Sequence, residues 1–551
     1  MTAELLIGPL LRRVVGTRAT IWVETSAPAQ VQVRAGQAGG ESHTFTAFGH
    51  HYALVVVEGL APGSTTPYEV FLDGSVVWPE PDSQYPVSVI RTRDRDDAAQ
   101  PVRLVFGSCR ETTQHVTARK LPPDAMDAYA RRLMLTDEPL PDLLMLLGDQ
   151  VYADLPSPAV KRFLRRRRKH GHEGPAHEVI NYEEYTQLYL ESWRDPEMRW
   201  LYASVPSVMI FDDHEIIDDW NSSAAWRNDI RQQPWWTERI ASGLASYWVY
   251  QHLGNMDPDE LAADPVYQKV LAAEDATEVL HEFAIDVDAN GGYQWSYSLD
   301  VGRTRLIVLD NRCSRVLEPE NRAMLPPAEW QWFTDQVHGD YDHLVVGSSL
   351  PWLLPPGIHH LEAWNERIAT SPRPRVSAFA ERVRRAFDLE HWAAFHRSFD
   401  ALAALFARIG ESGAAPPSDR VGAGPAYPPP ASISVLSGDV HHSYVARALF
   451  GTRVAAPVHQ LTCSPVHNQV PSFMRPMLQV GWWRGPATVA RALARTARVA
   501  APTVRWRKIA GPYFGNALGT LDHDGRSAQV TIEGTTTDGA LRTVAAVDLA
   551  G

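Results

Sequence analysis

Residues 143–154 read "LLMLLGDQVYAD". Five apolar residues without polar alternation are the signature of a strand covered on both faces. The run halts at Gly148 and Asp149, and Tyr152 follows three residues later. A buried strand thus delivers a carboxylate and a phenol together at its carboxyl end, and the event recurs down the chain. "VRLVFGSCR" ends in Cys109, "SVMIFDDHE" in Asp212, Asp213 and His214, and "SISVLSGDVHH" in Asp439, His441 and His442. "RTRLIVLD" and "HLVVGSS" are two further strand-like runs. Helical patterns lie between them. From Leu389 to Ile409, Trp392, Phe395, Phe399, Leu402 and Phe406 fall at spacings of three and four, with Gly410 where a C-cap would stand. Alternating strands and helices predict a layered α/β domain. Ligand sites in open α/β sheets gather outside the carboxyl ends of the strands. One rim should therefore carry a thiolate, carboxylates, a phenol and imidazoles.

Outward from this block, residues 1–92 read as an all-β sandwich. "RATIWVET" and "AQVQVRAG" alternate with period two, and "HYALVVVEGL" is a third strand. Leu60, Pro62 and Gly63 shortly before Tyr68 have the order of a tyrosine corner, in which the phenol ties its strand to the preceding loop. "RTRDRDDAAQ", 91–100, reads as a linker. The catalytic block then spans 101–470. A C-terminal piece, 471–551, holds a proline-bounded helix between Pro486 and Pro502 and a hairpin turning at "DHDGR", and completes the catalytic domain. Gly413 to Ser432 is a Pro/Gly/Ala-rich loop.

The totals set limits. A chain of 551 residues needs more than one core. Its formal charge of −13 argues against a stable nucleic-acid partner. The basic run Lys161 to His172 reads as a solvated face. Cys109, Cys313 and Cys463 make no disulfide framework, and no run approaches the 18 or so apolar residues of a membrane span. With no signal peptide in the opening residues, a cytoplasmic location is the expectation.

Hard oxygen donors in this number suit one or two highly charged cations. A phenolate and a thiolate among carboxylates suit ferric iron at one position, and an all-oxygen neighbour could hold calcium, magnesium, manganese or zinc. Two close metals sharing a carboxylate can clamp a phosphate and acidify a trapped water, whose hydroxide attacks phosphorus in line with the leaving alkoxide. A nearby imidazole can protonate that leaving group. These residue types fit phosphoester hydrolysis.

The blocks "GSCR", "LLGDQVYAD", "FDDHE", "VLDNR" and "LSGDVHHSY" run in order from Gly107 to Tyr444. As a set they resemble the calcineurin-like metallophosphatases, most closely the alkaline phosphatase D (PhoD-like) branch, with likeness to purple acid phosphatases in the Asp-x-x-Tyr step. The resemblance implies a four-layer α/β/β/α catalytic sandwich behind a fibronectin-like N-terminal module. It implies a first metal, iron as Fe3+, held by Cys109, Asp149, Tyr152 and His441. Asp149 would bridge to a second divalent metal, Ca2+ among the options, completed by Asp213 and Asp439. His214 takes the place of the imidazole beside the scissile phosphate. Arg110 is either a phosphate ligand or part of an ordinary salt bridge. Asp310 and Arg312 match a family Asp-x-Arg and read as a structural ion pair, while Trp364, Asn365, His359, His360 and His442 read as packing or supporting residues.

Two departures stand out. Purple acid phosphatases carry a histidine after a strand where this chain has Ser348 and Ser349, so the second metal must be coordinated differently. The Tat-type export signal common in the family is also missing from the opening residues. The expected activity is a metal-dependent phosphomonoesterase or phosphodiesterase acting on a small or lipid-like phosphate ester. Nuclease-like use of the same centre, and a binding protein over a degenerate site, are the alternatives. Oligomeric state is left open.

Overall fold

In the computed structural model, which describes residues 2–94, 100–113, 121–168, 174–412 and 427–550, ten strands precede residue 92. They are β1 (Leu5–Val15), β2 (Arg18–Thr25), β3 (Gln30–Ala35), β4 (Ala38–His43), β5 (Phe45–Ala47), β6 (His50–Val57), β7 (Thr65–Pro67), β8 (Glu69–Leu72), β9 (Ser75–Trp78) and β10 (Val89–Arg91). Two four-stranded sheets, β1-β2-β6-β5 and β4-β3-β8-β9, form a sandwich-like module beside a β10-β7 ribbon. Along β3 every second side chain is buried, as the period-two pattern requires. Val31 and Val33 meet Leu11, Ile21, Val55 and Val70 in one core.

Tyr68 does something other than the tyrosine corner read from its context. Its hydroxyl donates to the Ala203 carbonyl at 2.7 Å, on the helix Pro196–Ser204 of the α/β block. The phenol faces the next module, so the bond it makes pins the two together. Arg12 does the same from β1, with its buried guanidinium donating to the carbonyls of Ser207, Tyr250 and Gln251.

The strands read from the apolar runs all form. A six-stranded sheet has the order β13-β12-β11-β21-β22-β23, built from β11 (Val102–Gly107), β12 (Leu143–Leu147), β13 (Ser207–Ile210), β21 (Ala517–Asp524), β22 (Ser527–Thr535) and β23 (Leu541–Asp548). A seven-stranded sheet has the order β14-β15-β16-β17-β19-β18-β20. Its strands are β14 (Tyr297–Val301), β15 (Thr304–Leu309), β16 (His343–Ser348), β17 (Ser432–Ser437), β18 (Ser443–Leu449), β19 (Val458–Thr462) and β20 (Arg505–Tyr513). β11, β12 and β13 run parallel, as do β15, β16 and β17. Residues beyond 471 thus add strands to both sheets.

The unbroken apolar run in β12 now has a cause. Leu143, Met145 and Leu147 face a core shared with Leu306, Val345 and Leu436 of the other sheet. Leu144 and Leu146 face a second core with Met126, Tyr129, Leu201 and Leu244. Each of the five side chains contributes about 1.5–3 kcal/mol of burial. No position on the strand is left for a polar residue until the chain emerges at Gly148.

Several helical readings shift. The segment beginning at Leu389 splits into a 3-10 turn, Trp392–Ala394, and a helix, His396–Ser412, that runs through Gly410. That glycine is no cap: a Cβ there would lie 2.2 Å from Val454, so it serves close packing. The helix expected between Pro486 and Pro502 is Arg484–Thr496. Lys161 to Arg167 lie on the helix Pro158–Arg167, and Arg168 caps its end and pairs with Glu184 at 2.6 Å. Residues 169–172 of that basic run, 413–426 of the proline-rich loop and 95–99 of the linker lie outside the described residues.

Candidate metal centre

Asp149, Cys109, Asp213 and Asp439 leave the ends of β12, β11, β13 and β17, which the two sheets bring to one edge. The backbone there is forced. Cys109, Asp149, Asp439 and His441 have φ of 58°, 51°, 63° and 48°, a left-handed conformation that ordinary residues avoid. Glycines precede two of the aspartates because the turns touch. A Cβ on Gly148 would lie 2.8 Å from the Asp212 Cβ, and one on Gly438 would lie 1.8 Å from the Ser108 Oγ.

The turns bring three donor groups together. Cys109, Asp149 and His441 form one; Asp149, Asp213 and His214 a second; Asp212, Asp213 and Asp439 a third. Within each group one ligand atom per residue lies within 4.8 Å of the others. Asp149 belongs to two groups, as does Asp213. Tyr152 joins through its hydroxyl, 3.3 Å from Asp149 Oδ2 and held by a 2.9 Å bond from Asn468 Nδ2. All six residues read as ligands from the sequence therefore meet in one place.

Charge is out of balance in this buried space. Burial first, and neighbouring carboxylates next, push Asp149 and the thiol of Cys109 well above their usual ranges, and burial likewise raises Tyr152. Asp212 is raised by burial despite Arg312. Oδ1 of Asp149 and Oδ2 of Asp212 are buried without a hydrogen-bond partner among the described residues. Unpartnered buried oxygens beside a thiol and a phenol are what a cation of high charge satisfies. The donor set fits a thiolate- and phenolate-tolerant metal beside an oxygen-bound one.

Arg312 is where the structure departs most from the sequence reading. No Asp310–Arg312 ion pair forms, because Asp310 spends its carboxylate on the backbone N–H groups of Arg312, Cys313 and Ser314. The guanidinium instead lies among acids drawn from three other segments. It bonds Asp212 and Glu390 at 2.5 Å each, and sits 3.4 Å from Asp213 and 4.0 Å from Asp439. It is a fixed cation amid the Asp212, Asp213 and Asp439 group.

Three further residues have no role in the sequence reading. Asp154, the last residue of the opening stretch, receives His214 Nδ1 at 2.8 Å, and the His214 ring stacks on Tyr152 at 4.4 Å. Burial disfavours the imidazolium, but Asp154, Asp213 and Asp149 hold its pKa well above the usual value. His391, between helices and far from any strand end, places Nε2 3.0 Å from Asp439 and Nδ1 2.8 Å from Glu362. Against the pull of burial, this bond holds the Asp439 carboxyl down to about 2. Glu215 ties the turns together, accepting the N–H groups of Asp149, Gln150 and Asp212.

Arg110 is the correction. Of its two readings the structure contains the salt bridge: the buried guanidinium bonds Asp124 at 2.8 Å, approaches Asp127 at 3.5 Å and donates to Ser192. Its guanidinium is thus held by these partners and joins none of the donor groups. Ser348 and Ser349 bond Asn311. Asn365 is buried and donates to Ala380, His359 packs on Phe399, and the His442 ring nitrogen bonds the Val440 carbonyl.

Residues 104–337 match the family model described as PhoD-like phosphatase. They form a PhoD-like phosphatase domain. This domain contains Cys109, Asp149, Tyr152, Asp213 and His214, while Asp439 and His441 come from beyond the matched span. Residues 2–90 match a family described as a domain of unknown function, DUF7800. No curated protein matches the chain. Among solved structures, that of PhoD is similar over 100% of this chain and 92% of its own, with 13% identity and a TM-score of 0.57, a likeness of fold. A maltogenic amylase from S. marinus and the type III pullulan hydrolase from Thermococcus kodakarensis cover 96% and 97% of this chain and 76% and 94% of their own. They are 8% and 9% identical, and their TM-scores of 0.15 and 0.14 carry no structural argument.

Proposed function

We propose that the chain is a metal-dependent hydrolase of phosphate esters. The observation behind this reading is the sharing of Asp149 between two donor groups, which suits one carboxylate serving two cations. Cys109, Asp149, Tyr152 and His441 would hold iron, and Asp149, Asp213 and Asp439 a second divalent ion. When bound, the cations would neutralise phosphate charge and lower the pKa of water. The chain's own residues do the rest. Asp154 occupies Nδ1 of His214, which leaves Nε2 for the substrate, and the same carboxylate raises the pKa of the ring and so favours its protonated form. His214 then delivers that proton to the leaving alkoxide. Glu362 and His391 hold Asp439 ionised and oriented. Arg312 offsets the buried acids around the second ion, in place of the histidine that Ser348 and Ser349 cannot supply.

A second role for His214 draws on the same geometry, because it shares a donor group with Asp149 and Asp213. As a ligand its loss would deplete metal; as an acid its loss would spare it. The substrate class is a small or lipid-like mono- or diester. The test is hydrolysis of p-nitrophenyl phosphate and its bis ester by protein stripped with chelator and then reloaded. Activity lost on stripping and restored on reloading supports the reading, and hydrolysis indifferent to chelation refutes it.

A further inference from the structure

From Val440 to Leu521 the chain contains ten arginines and lysines and no aspartate or glutamate, within a protein whose formal charge is −13. The structure concentrates much of this charge on one exterior feature. The helices Arg475–Val480 and Arg484–Thr496 lie outside the helix Pro356–Ala369, against which Gly357 donates to the Gly481 carbonyl at 2.9 Å. Leu478, Ala490 and Ala494 are buried on the inner face. The outer face is not polar throughout. Phe473 is 78% exposed, Val489 70% and Trp483 58%, with Met477 less so. Arg484, Arg491 and Arg495, spaced seven and four apart, form a stripe on the same helix. Exposed Arg498 follows it. None of these arginines has an acidic partner among the described residues.

We propose that this face is a docking surface for an anionic lipid bilayer. Unpaired cations draw it to anionic headgroups, each adding a little. Large apolar side chains held in water by a rigid fold gain by entering the headgroup boundary, which is the amphipathic design of helices that lie on membranes. Nucleic acid would use the arginines but would find no use for exposed Val489 and Met477, since aliphatic chains neither pair with phosphate nor stack on bases. No described helix is long and apolar enough to cross a membrane, so contact is with the surface alone. The face also adjoins the donor rim. Trp482 packs on Tyr444 at 5.1 Å, Arg475 lies over Phe514 at 6.0 Å, and both rings flank His442 beside His441. An ester borne by the bilayer would therefore arrive near the metal-binding turns, although docking itself needs no chemistry there.

The full chain is sedimented with vesicles of phosphatidylcholine, with and without phosphatidylglycerol, over a range of salt. Binding to the anionic vesicles only, weakened by salt, is expected. Arg484→Gln/Arg495→Gln/Arg498→Gln should weaken it on the order of a hundredfold, and Trp483→Ser/Val489→Ser by about tenfold or more. All five positions are exposed, and unchanged thermal midpoints would confirm folding. Absence of partition, or partition unaltered by either set, overturns the proposal. Tighter binding to duplex DNA than to vesicles, indifferent to Trp483→Ser/Val489→Ser, overturns it in favour of a nucleic acid.

Discussion

The donor rim and the acid-free surface are two charge imbalances of opposite sign, and burial makes them behave differently. At the rim, Asp149, Asp212, Asp213 and Glu390 are buried and Asp439 is mostly so, with Arg312 as the guanidinium among them. Buried charges are hardly screened by salt, so each must be met by a fixed partner or by protonation. On the helices Arg475–Val480 and Arg484–Thr496, unpaired arginines are tolerated because water and salt ions solvate them. A buried excess specifies a resident cation; an exposed excess is held ready for a partner. Removing a charge should therefore be drastic at the rim, and modest and salt-dependent on the surface.

The largest effect should come from Asp149→Asn. One carboxylate serves two donor groups, so the variant should lose both metals and hydrolysis should fall by about 10³ or more. Metal content and turnover measured on one preparation check this, and a variant that keeps both ions separates the two groups. Next comes Arg312→Met. It leaves Asp212 buried without its cation and Glu390 with Arg315 alone, which costs about 3–5 kcal/mol and should appear as a lower urea midpoint. A variant as stable as the parent would mean that the guanidinium is not balancing those acids.

His214→Ala should slow turnover by about 10²–10⁴ while sparing metal content. Asp154→Asn sharpens the point through pH. A general acid must carry its proton, so activity falls as pH rises through its pKa. Without the Asp154 carboxylate the His214 pKa drops, and the alkaline limb of the rate profile should move to lower pH. An unmoved limb would take the pair out of proton transfer.

The smallest effect belongs to a buried polar pair that carries no excess charge. His523 stacks on His343 at 3.9 Å and bonds Thr304 at 2.7 Å. Burial and the neighbouring His343 lower its pKa to about 2. Because the folded value is depressed, the group costs nothing above about pH 6.5, where both states are neutral. As pH falls below that, only the unfolded chain takes up the proton, and stability drains away, by about 3 kcal/mol at about pH 4.5. His523→Asn should flatten the fall in metal-free unfolding midpoints between those pH values, and an identical slope would contradict the buried neutral ring.

What could be read in advance follows from how far each partner lies from a strand end. Cys109, Asp149, Tyr152, Asp213, Asp439 and His441 were legible because apolar strands announce their own ends, and parallel strands bring those ends together. Arg312 was not, because Asp-x-Arg looks like a local pair whereas its partners lie 100 residues before it and 78 after. His391 sits in a connection between helices, where nothing periodic marks a position. Asp154 stood in the first stretch quoted, but only the folded turn shows it facing His214. Arg110 and Tyr68 share one lesson: the sequence shows a guanidinium and a phenol but not which way each points, since direction depends on the element packed opposite.

The most direct test is elemental analysis of the protein isolated without added metal. Close to one iron and one further divalent ion per chain is the expected result, with both lost in Asp149→Asn. A folded, active protein that carries neither ion would contradict the claim that these turns exist to hold cations.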